Sequence, residues 1–327
     1  MMLNMFPICK NAIEPSVLSA SALDVYKSEK YIYGRCHECD FLILLNPPDA
    51  EDKVDYTASG YYQRTQSRGR WLIDSVMAVF ISYRIRLVKK LTRNASLKGM
   101  RLLDIGCGKG KFMVSAKREG AHVSGLEPTV RSFEFAKLAL GDEVQNKMMS
   151  KELFSPGTFD VITMWHVFEH IPEPALMLEA CAHVLRSDGM LVIAVPSYKG
   201  LIARIGGATW FNLDPPRHVI HYCASSLTRL LEKNGFNVVE ISHSYPELTF
   251  FSGLQTLLNK LPITKNFLFN FLKGNSHAMS IIHVQYFIDG FLTLVVSILF
   301  APVVLVFVPI LSAAKLSDCI TVSARKK

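Results

Sequence analysis

The sequence has no disulfide framework: its seven cysteines are odd in number and, apart from Cys36 and Cys39, lie far apart. That excludes a cysteine-stapled secreted module and predicts a reducing compartment. No block interleaves lysine and arginine with stacking aromatics, so the net charge of +8 is not the footprint of a nucleic-acid groove, and no nucleic-acid partner is expected. The same excess suits an anionic lipid surface. Residues 1–20 contain Glu14 and no long apolar core, which predicts no secretory signal and a catalytic part that stays in the cytoplasm. The dinucleotide fingerprint G-x-G-x-x-G is also missing, because Lys111 occupies its third glycine position and the glycine comes one residue early, at Gly110. Finally, no charge stands between Asp289 and Lys315.

What is present begins with Leu102-Leu103-Asp104-Ile105-Gly106-Cys107-Gly108-Lys109-Gly110. A short apolar segment closed by glycine reads as a central strand of a parallel sheet, followed by a tight turn and a helix start. Glycines there allow positive φ and let a ligand press against the backbone at a helix N-terminus. Asp104 is an acid at the carboxyl end of that strand, where open α/β sheets bind ligands. Glu127 ends the next strand, with Pro128 opening a helix; an acid about 20 residues after the glycine turn is placed to grip ribose hydroxyls.

From residue 101 onward strands and helices alternate, which predicts βαβ units and a mostly parallel sheet. Strands are expected at 121–126, 159–164 and 190–195, with a helix from Pro172 and Pro174 to Leu185 that Ser187-Asp188-Gly189 ends. A further helix at 225–234 precedes a strand at 235–241. The chain of 327 residues holds one such domain with about a hundred residues to spare.

The glycine block resembles motif I of the class I S-adenosylmethionine-dependent methyltransferases. Trp165-His166-Val167-Phe168-Glu169-His170-Ile171-Pro172 resembles that family's signature after the fourth strand, and Pro196-Ser197 closes the fifth as its pattern expects. Tyr33-Gly34-Arg35-Cys36-His37-Glu38-Cys39-Asp40 resembles the second half of a zinc-ribbon leader found before some of these enzymes. Asp214-Pro215-Pro216-Arg217-His218 looks like the subfamily grouped around lipid-pathway and cell-surface saccharide methyltransferases. The resemblance implies an α/β fold: a Rossmann-like doubly wound sheet of about seven strands whose last strand, near 318–326, pairs antiparallel with that at 235–241. It implies S-adenosylmethionine as cofactor, held by Asp104, Gly106, Cys107, Gly108, Gly110, Glu127, Pro128, Trp165 and His166.

In the leader pattern the first half is Cys-Pro-x-Cys, whereas this chain reads Phe6-Pro7-Ile8-Cys9. One ligand is missing, so either His37 or another group completes a site with Cys9, Cys36 and Cys39, or these are a remnant; structural zinc wants four ligands, which favours loss of the metal. The expected organisation is a degenerate ribbon-like leader (1–55), a helical connector or lid (56–98), the methyltransferase core (99–244), a membrane-associating insertion (245–316) and the final core strand (317–327).

Residues 291–314 are long enough, at about 1.5 Å per helical residue, to cross a hydrocarbon layer of roughly 30 Å. The resemblance implies that both ends of the insertion belong to one sheet, and Pro302 and Pro309 can bend or break a helix, so a membrane-dipping or interfacial hairpin is expected, with a single-pass anchor as the alternative. Methyl transfer to oxygen gains from a histidine base, and His166, His170, His218 and His221 all fall on expected loops; Arg217 beside His218 suits an anionic acceptor. The predicted catalytic set is His166, His170, His218 and Arg217, with no metal. The expected reaction is methylation of a small-molecule or lipid-linked acceptor, saccharide or quinone-type, at the cytoplasmic face of the inner membrane. A non-catalytic scaffold that binds the cofactor is the other reading.

Overall fold

The computed structural model describes residues 18–23, 30–36, 38–48, 70–273 and 283–327. The chain forms two compact units. One draws on the described residues before 49, on Val195–Leu227 and on Ser242–Thr321; the other comprises the residues from 70 to 194, Thr228–Ile241 and Val322–Lys327.

In the first unit, strands β1 (Leu18–Leu23), β2 (Lys30–Arg35) and β3 (Leu42–Leu44) make an antiparallel meander. The second unit starts with helix α1 (Arg70–Thr92), where the 71–91 stretch predicts one, and continues into the alternating part of the chain. Its strands are β4 (Arg101–Ile105), β5 (His122–Leu126), β6 (Val144–Gln145), β7 (Phe159–Trp165) and β8 (Leu185–Pro196), separated by helices α2 (Lys111–Arg118), α3 (Val130–Leu140) and α4 (Pro174–Val184). After helix α5 (Leu201–Gly206), strand β9 (Ile220–His221) and helix α6 (Ala224–Lys233), the chain forms β10 (Phe236–Ser242) and, last, β11 (Cys319–Lys326).

The large sheet has the order β10-β11-β8-β7-β4-β5-β6. Strand β4 lies parallel to both β5 and β7, with Asp104 opposite Gly125 on one side and Thr163 on the other, and its core residues are apolar and buried on both faces. Strand β11 runs the opposite way: the Lys327 N–H donates to the Gly235 carbonyl at 3.0 Å and Lys326 Nζ to that of Leu185 at 2.8 Å, so its end meets the beginnings of β10 and β8. The Rossmann-like sheet of seven strands with an antiparallel last strand is therefore present as expected. Strand β8 begins earlier than the sequence suggests. Leu185 is already extended and pairs with Phe159; residues 186–189 then loop out, with Asp188 at φ 61°, before Met190 pairs with Val161.

Between β10 and β11 the chain runs through α7 (Pro246–Leu258), α8 (Phe267–Lys273) and α9 (His283–Ala313). Helix α9 contains Pro302 and Pro309 without interruption, so of the two expected effects, bending or breaking, they do not break it. Each proline removes a single donor from the ladder, and the remaining bonds carry the helix through. Helix α7 packs on α9, burying Val308 and Leu311. The polar groups of the insertion turn inward: the Phe269 N–H donates to Gln255 Oε1 (3.0 Å), Asn266 N–H to Asn259 Oδ1 (2.8 Å) and Thr264 N–H to Asp289 Oδ2 (3.1 Å). The opposite face of α9 is apolar and open, with Phe287, Phe291, Ile298, Leu305 and Val306 all exposed.

Strand β9 joins the leader meander as its fourth strand, Leu42 opposite His221 and Ile43 opposite Ile220. Tyr31, Tyr33, Leu42 and Leu44 from the leader bury against Ala203, Trp210 and Leu213.

Candidate functional site

In the second unit the glycine turn connects β4 to α2. Gly106, Gly108 and Gly110 have φ of 69°, 57° and 72°, the left-handed region that favours glycine. At Gly106 a Cβ would stand 2.4 Å from Val167 Cγ2, so the position is closed to any larger residue; at Gly108 a Cβ would meet nothing within 4 Å. The turn is anchored on strand β5, because the Gly106 and Cys107 N–H groups both donate to the Leu126 carbonyl (2.7 and 3.0 Å).

Glu127, which follows β5, is buried. Its Oε2 accepts the Gly108 N–H at 2.8 Å and its Oε1 the Thr129 N–H at 2.9 Å. Asn146, which sequence reasoning missed, fixes the same corner by donating to the carbonyls of Glu127 (2.8 Å) and Pro128 (2.9 Å). Asp104 lies inside the sheet and accepts the Thr163 hydroxyl at 2.6 Å. Burial pushes its carboxyl up to about 7, with the Thr163 bond and the Arg84 charge pulling the other way. Burial also raises the Cys107 thiol well above its ordinary range and keeps it neutral.

At the end of β7, Trp165 packs edge-on against Phe112 (ring centroids 5.4 Å apart), and the Arg84 guanidinium lies 5.1 Å from its ring. Its buried indole N–H has no partner among the described residues. His166 follows at φ 58°, its N–H donating to the Ala194 carbonyl (2.9 Å) and its Nδ1 3.4 Å from the Glu169 carboxylate. Burial alone would raise the Glu169 carboxyl, but the His166 imidazole and nearby His170 outweigh it and hold it below its usual range. His166 and His170 do not share a helical face, since only Phe168–His170 forms a single 3₁₀ turn and His166 stands outside it.

These residues fit an adenosine-bearing cofactor. Gly108 leaves open space where a side chain would stand, each Glu127 oxygen keeps lone-pair capacity beyond one backbone N–H, and the Trp165 indole is a buried donor awaiting an acceptor.

In the first unit the Arg217-His218 segment is held on three sides. Arg217 grips Asp214 with a fork, Nε to Oδ2 at 2.9 Å and Nη2 to Oδ1, so the contact expected for an anionic acceptor is made to the protein's own carboxylate. His218 Nδ1 lies 2.7 Å from the Asn212 carbonyl, and Tyr33 donates its hydroxyl to the carbonyls of His218 (2.8 Å) and Leu213 (3.2 Å). Asn212 in turn donates Nδ2 to Asp318 Oδ2 at 3.3 Å, where Trp210 Nε1 (3.1 Å) and the Ser252 hydroxyl also donate. Asp318 is fully buried, and burial pushes its carboxyl up to about 6. Tyr33 stands in the leader motif but nothing there points to this contact, and Asn212 is hinted at only by the aromatic-rich stretch before Arg217.

His221 departs from its expected place on a loop. It lies in β9 rather than on a loop and is wholly buried, its ring 5.3 Å from Tyr33 and 5.4 Å from Trp210 and its Nε2 3.2 Å from the Leu213 carbonyl. Its pairing partner belongs to the leader, a contact across the sequence that no local pattern announces. Cys36 and Cys39 are buried on one turn, the Cys39 N–H donating to Cys36 Sγ at 3.5 Å. Cys9 and His37, the other candidate ligands, lie outside the described residues.

A family model described as a methyltransferase domain matches residues 80–241. The chain is 33% identical over 172 residues to a ubiquinone biosynthesis O-methyltransferase of Aromatoleum aromaticum, covering 49% of this chain and 74% of that protein. It is 32% identical over 170 residues to the protein of the same name from Aeromonas salmonicida, with 48% and 71% covered. Among solved structures, a SAM-dependent methyltransferase from Archaeoglobus fulgidus aligns with a TM-score of 0.44 at 20% identity, over 74% of this chain and 94% of the other. By its glycine turn, its sheet order and its relatives, the chain belongs to the S-adenosylmethionine-dependent methyltransferases.

Proposed function

We propose that this methyltransferase acts on an oxygen of an amphiphilic or lipid-linked acceptor, of saccharide or quinone type, at the cytoplasmic surface of the membrane. The observation that carries the reading is helix α9, whose most apolar window is 6% buried and whose exposed side chains include Phe291, Leu294 and Ile298. Each large apolar side chain moved from water into hydrocarbon contributes about 1.5–3 kcal/mol. The chain leaves the large sheet at Ser242 and re-enters it at Cys319, which supports an insertion that dips into one leaflet. The curated relatives named for ubiquinone biosynthesis support the oxygen acceptor and the quinone class.

Within this reading residues 99–244 and the final strand form the core and residues 245–316 associate with the lipid, while residues 56–69 of the proposed connector (56–98) and much of the proposed metal-free leader (1–55) lie outside the described residues. Glu127 holds the cofactor's ribose hydroxyls, the glycine turn with Gly106, Cys107, Gly108 and Gly110 accepts it against bare backbone, and Pro128, Trp165 and His166 border it; Asp104 supports the turn from within the sheet. When bound, the cofactor supplies a methyl group on a sulfonium, already a good leaving group. The protein's task is then alignment and exclusion of water.

His218 is the proposed base. With Nδ1 donating to the Asn212 carbonyl, its Nε2, 3.8 Å from Asp214 Oδ2, is the nitrogen proposed to take the acceptor hydroxyl's proton. Arg217 fixes the segment through Asp214, and the Glu169 carboxylate orients His166, with His170 beside it. Flotation with anionic vesicles tests the membrane part: the protein is expected to float with the lipid and to be released by Phe291→Glu together with Ile298→Glu. Flotation unaffected by that pair would remove α9 from the account.

A further inference from the structure

The first unit contains a cavity of about 400 Å³ where the end of α9 faces the loop leading into α7. Its size falls within the roughly 300–1,000 Å³ of small-molecule sites. One wall is aliphatic, made by Pro246, Leu305, Val308 and Pro309. The other carries hydrogen-bonding groups: His243, Ser244, Thr249, Ser312 and Ser317, with the Thr249 and Ser317 hydroxyls 2.8 Å apart. No carboxylate, ammonium or guanidinium group is among the residues that line it.

Two further observations say what such a space takes. His243 Nδ1 is buried without a partner among the described residues, and burial together with the neighbouring Lys315 charge lowers the imidazole's pKa and favours its neutral form. A neutral imidazole nitrogen can donate to a carbonyl or accept from a hydroxyl, and a buried one left empty is costly. Leu305, which lines the cavity, is also 62% exposed on the apolar face of α9, so the aliphatic wall continues onto the surface proposed to meet lipid.

We infer that this cavity binds the uncharged, hydrogen-bonding neck of a membrane amphiphile, a hydroxyl, ester or carbonyl group, while its aliphatic chain runs out along α9. An inorganic anion or free sugar phosphate does not match the lining, which offers no cation and half of which is hydrocarbon. The inference rests on the membrane-surface reading for its source of ligand. That ligand is either a bilayer lipid or the acceptor itself, and the same chemistry serves both.

The test uses the full chain on vesicles and a long-chain alcohol bearing a photoreactive diazirine beside its hydroxyl. Cross-links are expected in residues 243–249 and 305–317. Labelling there should fall roughly tenfold in Ser312→Trp, which fills the cavity, and in His243→Leu, which removes the polar partner, but not in Val303→Trp, outside the lining on the same helix. Label spread evenly along α9 and indifferent to Ser312→Trp would overturn the inference, because it would reflect contact with the bilayer alone. Methyl transfer to a membrane acceptor is measured on the same samples. A raised KM in Ser312→Trp identifies the occupant as the acceptor, and unchanged kinetics with lost labelling identifies a bilayer lipid. Site-specific labelling without any methyl transfer refutes the proposed reaction and leaves the cavity site standing; transfer with diffuse labelling does the reverse.

Discussion

The Glu127 carboxylate accepts the Gly108 N–H at 2.8 Å, which ties the acid after β5 to the middle of the glycine turn. Sequence spacing alone separates these two residues by 19 positions; in the fold they form one corner, which is the proposed seat of the cofactor's ribose.

Glu127→Ala removes the acceptors of two backbone N–H groups and, with them, the proposed grip on the ribose. A hydrogen bond to a charged group contributes about 1.5–3 kcal/mol, so the dissociation constant for S-adenosylmethionine should rise roughly 10–150-fold. Calorimetric titration checks this, and Glu127→Gln, which keeps one carbonyl oxygen, should lose less.

The two glycines next to that corner should respond differently. Gly108→Ala meets open space but keeps a left-handed backbone, at a cost of about 1–2 kcal/mol to stability. Gly106→Ala adds a clash with Val167 and should cost about 1–3 kcal/mol more. Urea unfolding measures both, and equal losses would contradict the geometry.

His218→Ala should reduce turnover about 10²–10⁴-fold while leaving affinity for S-adenosylmethionine unchanged, since the residue acts on the acceptor's proton. Arg217→Lys should also slow turnover, because an ammonium cannot reproduce the fork on Asp214. Turnover unchanged in His218→Ala would remove it from the chemistry.

Stability should fall as pH rises from about 4 to about 7. Asp104 and Asp318 have folded carboxyl pKa values raised to about 7 and about 6, above the ordinary value of 3.8, so the folded chain holds protons that the unfolded chain has released. With fewer protons bound by the unfolded state, stability decreases with pH through this window and levels off above it. Asp104→Asn should flatten the upper part of the slope in urea titrations at several pH values, and Asp318→Asn the part below about 6.

What could be read in advance was local. The turn, its acid and the Trp165–His166 pair announce themselves because strand, glycine and helix follow one another within a few residues. The final strand is legible through the family resemblance of residues 318–326 rather than through any local pattern. What escaped depends on partners distant in sequence. Strand β9 is two residues long and exists only because β3 pairs with it, and that pairing buries His221. The same holds for Asn212, whose role comes from Asp318, 106 residues later. Pro302 and Pro309 leave α9 continuous because each removes a single ladder donor from a long helix, an outcome that the residue type alone does not decide.

Methyl transfer to a membrane amphiphile is the proposed activity of this fold. Incubating the protein with methyl-labelled S-adenosylmethionine and fractionated membranes, then partitioning the products between organic and aqueous phases, tests it most directly. The account predicts label in an organic-soluble product, lost in His218→Ala and strongly reduced when α9 is made acidic at Phe291 and Ile298. Cofactor binding with label entering only water-soluble products, or none at all, would contradict it.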